Sequence, residues 1–316
     1  ENTELFRATV GGMGLTGIIG EVTLRLIPIA SSHMMVRHHA AADLEQLFQH
    51  LQNPVLDDRY TVAWIDSMAG GAQLGRGIAM CGHHAAKEEL PVGLSLSSFN
   101  SEELAGGRSR KKHARAIPFD FPAWMMNPFS IGAFNAFYYR REGKRQQPFL
   151  TGYDSYFYPL DAIGQWNRMY GKRGFVQYQC VIPDTAAFDG SGAFDGIRVL
   201  LQELSGSHRP SFLAVLKRFG AQGRGLLSFP MAGYTLALDL PIRDDGLFAL
   251  LDRLDETVLR HGGRVYLAKD ARLSAESFRA MYPRYGEWLK IKNAVDPQNR
   301  FSSSLSRRLR IGEELS

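Results

Sequence analysis

The stretch from Gly262 to Phe301 constrains this chain most. Val265-Tyr266-Leu267-Ala268 is a short apolar run of β type, and it delivers Lys269 and Asp270 side by side. Ser274-Ala275-Glu276-Ser277 then opens a helix carrying Phe278, Met281, Tyr282, Tyr285, Trp288 and Leu289, and Asp296-Pro297 closes it. A lysine at the end of a buried strand must meet a carboxylate, a ligand anion or a developing negative charge, or lose its proton. Strand alternation sends Lys269 and Asp270 to opposite faces, which predicts that they do not pair.

The rest of the chain reads as strands interleaved with amphipathic helices. Leu5 to Ile29 is a glycine-rich turn between β-like segments: Gly11-Gly12-Met13-Gly14-Leu15-Thr16-Gly17, then Ile18-Ile19, then Val22, Leu24 and Leu26 in alternation up to Pro28. Taken by itself this is a tight turn, because neither the spacing nor the following pattern is that of a dinucleotide-binding fingerprint. A helix is expected over Asp43–Leu51, and paired strands over Arg59–Asp66 and Gly75–Cys81. Pro159 suits the first turn of a helix with Ile163, Trp166 and Tyr170 on one face. Phe175–Pro183 is a strand with Gln177 and Gln179 on one face and Val176, Tyr178 and Cys180 on the other. Further strands are expected at Ser211–Gly220, ending near Lys217, at Leu226–Pro230 and at Tyr234–Asp239. Helices fill Phe194–Leu204 and Leu247–Leu259. This alternation predicts an α+β fold, an antiparallel sheet with helices on one face.

Two segments admit more than one reading. Ser95–Arg115 is rich in Ser, Gly and charge and ends in a basic run from Arg108 to Arg115. It reads as a solvated loop, or as a basic surface facing anionic lipid headgroups or a polyprenyl phosphate. Ala123–Phe137 carries Trp124, Met125, Met126, Phe129 and Phe134, and reads as core in preference to the lining of an apolar lipid channel.

The set Tyr266-Leu267-Ala268-Lys269-Asp270, Ala280-Met281-Tyr282-Pro283, Glu287-Trp288, Val295-Asp296-Pro297 and Ser306-Arg307-Arg308-Leu309 resembles the C-terminal end of the FAD enzymes that oxidise decaprenylphosphoryl-ribose at the 2-hydroxyl. These belong to the vanillyl-alcohol-oxidase superfamily, and the resemblance runs from Leu5 to about Leu309. It implies that residues 1–30 end an FAD-binding domain, that 31–263 form a substrate-binding cap, and that 264–316 return to the FAD domain. It implies that Gly12, Gly14, Thr16, Ile19 and Tyr266 touch FAD. Gln177, Gln179, Phe157, Thr235 and Ala237 would face the substrate, and Lys269 and Lys217 would act in catalysis. Thr235 and Ala237 stand where that family's mycobacterial enzyme has Asn and a reactive Cys, which leaves the exact sugar or lipid open. The implied reaction passes a hydride from a secondary alcohol of a lipid-linked or phosphorylated pentose to flavin N5. The alternatives are a sugar-lactone or alditol oxidase using oxygen, and a flavin-free sugar-phosphate binding module. The family's pyrophosphate-binding half-domain has no counterpart here, so the chain reads as a C-terminal part that alone should bind FAD weakly.

Composition trims the other classes. No apolar run in the 316 residues is long enough to cross a membrane, and the N-terminus has no signal-peptide pattern. That reading suits a cytoplasmic protein or one peripheral to the cell envelope, with a reductase as a possible partner. A net charge of +5 fits an anionic small ligand or a lipid surface better than nucleic acid. Cys81 and Cys180 make no disulfide framework, and the His38-His39 and Cys81-Gly82-His83-His84 clusters lack zinc-ligand spacing, so no metal is expected.

Overall fold

The computed structural model describes residues 2–52, 59–94, 116–122, 125–184 and 192–313. The basic run ending at Arg115, and Trp124, lie outside these residues. The architecture is an antiparallel sheet. Its strands are β1 (His33–Ala41), β2 (Tyr60–Ile65), β3 (Gly77–His84), β4 (Phe149–Gly152), β5 (Phe175–Pro183), β6 (Ala214–Phe219), β7 (Gly233–Pro241) and β8 (Arg264–Val265). They lie in the order β4-β1-β3-β2-β6-β7-β5-β8.

One face of this sheet is closed by helices. Helices α2 (Leu44–Gln52), α5 (Ala193–Gly206) and α6 (Gly246–Arg260) each present a leucine-rich stripe at helical spacing, such as Leu247, Leu250, Leu251, Leu254 and Val258 on α6. These meet Tyr178, Cys180, Leu216, Leu236 and Leu238 in one buried cluster. The α+β class with a helix-covered antiparallel sheet is therefore as the pattern predicts. On the opposite face, α3 (Pro128–Gly143) packs over the β1–β3–β2 end, where Tyr138 meets Trp64 with ring centroids 4.7 Å apart. That leaves the β6–β7–β5 part of this face to the residues considered below.

The two ends of the chain meet. Helix α1 (Thr3–Thr9) is capped by Asn2, whose side chain accepts from Leu5 N at 2.9 Å. It packs on α8 (Tyr285–Val295), where the fully buried Trp288 donates from Nε1 to Ala8 O at 2.9 Å. Tyr282, just past α7 (Ala275–Met281), donates to Val265 O at 2.6 Å and holds β8 in place. In the last turn of α8, buried Lys292 pairs with Asp296 just past the helix end, which also accepts from Arg300 N and Phe301 N at 2.9 Å each. A last short helix, α9 (Ser304–Arg308), follows, and its Arg308 pairs with Asp270 at 2.6 Å.

Several expectations change here. The segment before the glycine turn is helix α1 and no β segment, because Asn2 caps it and Leu5 and Ala8 face inward at helical spacing. Ile18 to Ile29 has no regular secondary structure and is exposed, with no ladder partner among the described residues; Leu24 and Leu26 are 71% and 82% accessible. Leu226–Pro230 is a turn: Leu226 N donates to Arg7 O and Ser228 N to Gly225 O, so its backbone is spent outside any sheet. The region after Pro159 is two 3-10 turns, Pro159–Ala162 and Trp166–Tyr170, separated by left-handed Gln165. Phe129 and Phe137, on the stretch read as core, are exposed on the outer side of α3. No helix among the described residues is long and apolar enough to span a membrane.

Candidate active site

Strand register assembles the site on the face away from α5 and α6. In β7, Thr235, Ala237 and Asp239 share that face. Opposite them in the register stand Lys217 against Thr235, Val215 and Gln179 against Ala237, and Gln177 against Asp239. Tyr266 joins the middle row, since its N–H donates to Gln179 O at 2.8 Å. Trp64 begins the same row, paired with Val215.

The polar groups along these rows are already ordered by one another. Gln177 Nε2 donates to Asp239 Oδ1 at 3.0 Å. Gln179 Nε2 donates to Thr235 Oγ1 at 3.0 Å, and Thr235 Oγ1 in turn donates to Cys180 O at 2.8 Å. An ionised carboxylate can only accept, and a hydroxyl already donating to a carbonyl must accept from its other neighbour. Both glutamines are thereby fixed with their amide groups toward β7. Their carbonyl oxygens are left to accept hydrogen bonds from something else, which is what a sugar hydroxyl offers.

Asp239 is the residue that the sequence reading did not single out. It is 4% accessible, and its Oδ2 is buried with no hydrogen-bond partner. Burial pushes its carboxyl up from the ordinary value, opposed by the Gln177 hydrogen bond and the Lys269 charge. The signal was the same alternation that placed Thr235 and Ala237; only the register with β5 reveals that Asp239 orients Gln177.

Lys269 does not end a strand. Strand β8 stops at Val265, and Leu267–Lys269 form a 3-10 turn, so the alternation argument does not apply to it. It nonetheless stands apart from Asp270. That carboxylate accepts from Arg308 and from the N–H groups of Arg272 and Leu273, at 2.9 Å and 2.7 Å. Lys217 lies inside β6, which runs on to Phe219. Partial burial and then the Lys269 charge draw the Lys217 ammonium below its usual range, so the two cations feel each other.

The glycine turn comes to the same region through the 225–229 segment. Gly11 is left-handed, at φ +74°, and a Cβ there would lie 2.9 Å from Ser228 Cα, so this contact needs glycine. Ser228 O accepts from buried Arg264 Nη1 at 3.0 Å, and Phe229 stacks on Tyr266 with centroids 4.6 Å apart. Gly14 and Gly17 have open space where a Cβ would stand, and Ile19 is exposed. Gly12 is buried against the Ala8 carbonyl, and Thr16 Oγ1 meets Thr9 Oγ1 at 2.9 Å, so both hold the turn together. Phe157 is not brought to the β5–β7 rows. Its ring packs on Tyr60 of β2, centroids 4.9 Å apart, because the short helix α4 (Tyr153–Phe157) follows β4 at the other end of the sheet.

Among the described residues no group of His, Cys, Asp and Glu is placed to hold a metal. Cys180 is fully buried, which pushes its thiol well up and keeps it inert.

The chain is similar to several known proteins. The family model of D-arabinono-1,4-lactone oxidase matches residues 247–309. A decaprenylphosphoryl-beta-D-ribose oxidase from Mycolicibacterium smegmatis is 34% identical over 313 residues, 98% of this chain and 64% of that protein. An uncharacterized protein in the mprA 5' region of Streptomyces coelicolor is 34% identical over 307 residues, 97% of this chain and 81% of that protein. Among solved structures, the xylooligosaccharide oxidase from Myceliophthora thermophila C1 in complex with xylobiose aligns with a TM-score of 0.55 at 12% identity. That alignment covers 100% of this chain and 63% of the oxidase. The BBE-like protein 28 of Arabidopsis thaliana aligns with a TM-score of 0.54 at 12% identity, over 97% of this chain and 62% of its own. The chain thus spans just under two thirds of the ribose oxidase and of these solved relatives, and the structural likenesses establish the fold.

Proposed function

This chain belongs to the family of FAD-linked oxidases that includes decaprenylphosphoryl-beta-D-ribose oxidase, and from that premise we propose that it forms the substrate-facing part of an enzyme oxidising a secondary hydroxyl of a lipid-linked or phosphorylated pentose. The observation that carries this reading is the ordered row of acceptors beside two lysines: Gln177 held by Asp239, Gln179 held by Thr235, with Lys217 and Lys269 within electrostatic reach. Gln177 and Gln179 accept from neighbouring sugar hydroxyls and fix which carbon is presented. Lys269 stabilises negative charge on the oxygen as the hydroxyl loses its proton, and Lys217 meets the anionic part of the substrate.

FAD is the cofactor of this family, and when bound it takes up the two electrons of the alcohol C–H bond. The residues present fit the edge of a planar cofactor: open backbone at Gly14 and Gly17, exposed Ile19, and half-buried Tyr266 braced by Phe229. Gly14, Ile19 and Tyr266 would hold it. In the same reading the electrons leave to a reductase partner, and the protein sits at the periphery of the cell envelope.

The test is anaerobic stopped-flow reduction of the flavin-loaded full-length protein. Lys269→Ala should retain fold and flavin while slowing reduction by about a hundredfold, the scale of ~2.7 kcal/mol of transition-state stabilisation. Lys217→Ala should mainly weaken substrate binding. Near-native reduction by Lys269→Ala at saturating substrate would make this lysine structural. A second reading follows from the lactone-oxidase match over residues 247–309: oxidation of a sugar lactone with oxygen as acceptor. Oxygen uptake with D-arabinono-1,4-lactone, and none with a prenylphosphoryl pentose, would select it.

A further inference from the structure

Behind the acceptor strand, on the helix-covered face, runs a buried polar chain. Tyr178 stands between Gln177 and Gln179 on β5 and points the other way, into the helices. Its hydroxyl donates to Asp255 Oδ1 on α6 at 3.0 Å. Asp255 Oδ2 accepts from Arg272 Nη2 at 2.5 Å, and Tyr178 and Asp255 are each 4% accessible. The same guanidinium donates to Leu251 O at 2.7 Å and pairs with Asp252, so three acceptors on α6 hold it. A planar fork that meets three fixed acceptors keeps little rotational freedom. Burial pushes the Asp255 carboxyl up to about 6, opposed by the charge and hydrogen bond of Arg272 and by the Tyr178 hydroxyl. A carboxylate buried this deeply depends on its cation.

Arg272 also closes the segment that carries Lys269. Asp270 follows the Leu267–Lys269 turn, and its Oδ1 accepts from the N–H groups of Arg272 and Leu273. Arg308 holds the other oxygen of Asp270 from α9. On the upstream side, Lys269 N donates to Tyr266 O at 3.0 Å, and Tyr266 N to Gln179 O at 2.8 Å. Both ends of the turn therefore trace back to β5. One does so directly at Gln179, the other through Arg272, Asp255 and Tyr178.

We propose that Arg272 is a positioning residue: through Asp255 and Tyr178 it fixes the Lys269 turn against the strand that carries Gln177 and Gln179, and so sets where the ammonium stands relative to the amide acceptors. The inference rests on the oxidase reading only for what Lys269 does there. The placement itself can be read without flavin, because the Lys269 charge acts on Lys217, whose side chain is exposed.

The test uses the 316-residue chain with its lysines dimethylated by ¹³C-formaldehyde, which keeps their charge and gives each an NMR signal that titrates. The Lys217 signal is assigned by its loss in Lys217→Ala. Lys269→Ala should move the Lys217 midpoint to higher pH, since a neighbouring cation is gone. Arg272→Leu should move it the same way, because the turn that carries Lys269 is released. In the flavin-loaded full-length protein, Arg272→Leu should lower the limiting rate of flavin reduction by about tenfold or more while substrate binding stays within about twofold, the pattern of a displaced catalytic group. Should Arg272→Leu fail to fold, Arg272→Lys carries the same expectations, since an ammonium can stay beside Asp255 but cannot span all three acceptors. An unchanged Lys217 midpoint in a folded Arg272 variant would overturn the proposal. So would a parent-like reduction rate in that variant when Lys269→Ala is slow. A shifted midpoint together with native reduction by Lys269→Ala would support the placement and count against the oxidase reading.

Discussion

Asp239→Asn separates a site residue from a structural one by the sign of its effect on stability. The carboxylate is 4% accessible, one oxygen accepts from Gln177 Nε2 at 3.0 Å, and the other has no hydrogen-bond partner. An Asn there keeps the acceptor for Gln177 and removes a desolvated charge. Uncompensated burial of this kind costs ~1–3 kcal/mol, and the Lys269 charge offsets part of it, so the variant should be more stable by about 1–2 kcal/mol. At roughly 2.1 cal/mol/K per residue over 316 residues, that raises Tm by about 2–3 °C at neutral pH. The pH dependence has a definite sign. Burial raises the folded-state value of this carboxyl above 3.8, so the folded chain takes up the proton before the unfolded one. Its contribution is least favourable at neutral pH and improves as pH falls through the folded value toward 3.8; the Asn variant should lack that gain. Differential scanning calorimetry at several pH values, with KM for the pentose measured beside it, reads both halves. More stable but weaker-binding is the signature of a site that gives up stability for function. A drop in Tm of more than about 2 °C, or an acid-side slope unchanged from the parent, would refute this account of Asp239.

Ala237→Cys should create a single thiol that electrophiles can reach, because Ala237 is half-buried on the acceptor face while Cys81 and Cys180 are buried; intact mass should show one adduct on the variant and none on the parent. Trp288→Phe should cost ~1–3 kcal/mol by urea unfolding, since it leaves the fully buried Ala8 carbonyl without its donor and uncouples α1 from α8. Asp296, drawn down to about 2 by Lys292 and two backbone N–H groups, should add stability that is present above 3.8 and fades as pH falls toward about 2; Asp296→Asn should remove that acid limb from a circular-dichroism titration.

What local pattern can and cannot carry is clearest along β5 and its neighbours. The alternation of Gln177 and Gln179 against Tyr178 and Cys180 placed each side chain on its correct face, because period 2 is a property of the strand alone. Helices α5 and α6 were legible for the same reason at period 3.6. The pairings Gln177–Asp239 and Gln179–Thr235 were not, because register depends on which strand lies alongside, and β7 arrives only after a helix and another strand. Apolar runs mislead where backbone groups find partners outside a ladder. Leu226–Phe229 has the composition of a strand, yet its hydrogen bonds run to Arg7 and within its own turn. Ile18 to Ile29 has the alternation of a strand and, among the described residues, no neighbour to pair with. Lys269 shows the converse. Its separation from Asp270 follows from Arg308 and two backbone amides claiming that carboxylate, and it would hold whatever the local φ and ψ. Face is thus written locally, while the row in which two polar groups meet is a tertiary fact. In this chain the acceptors and Lys217 are features of rows.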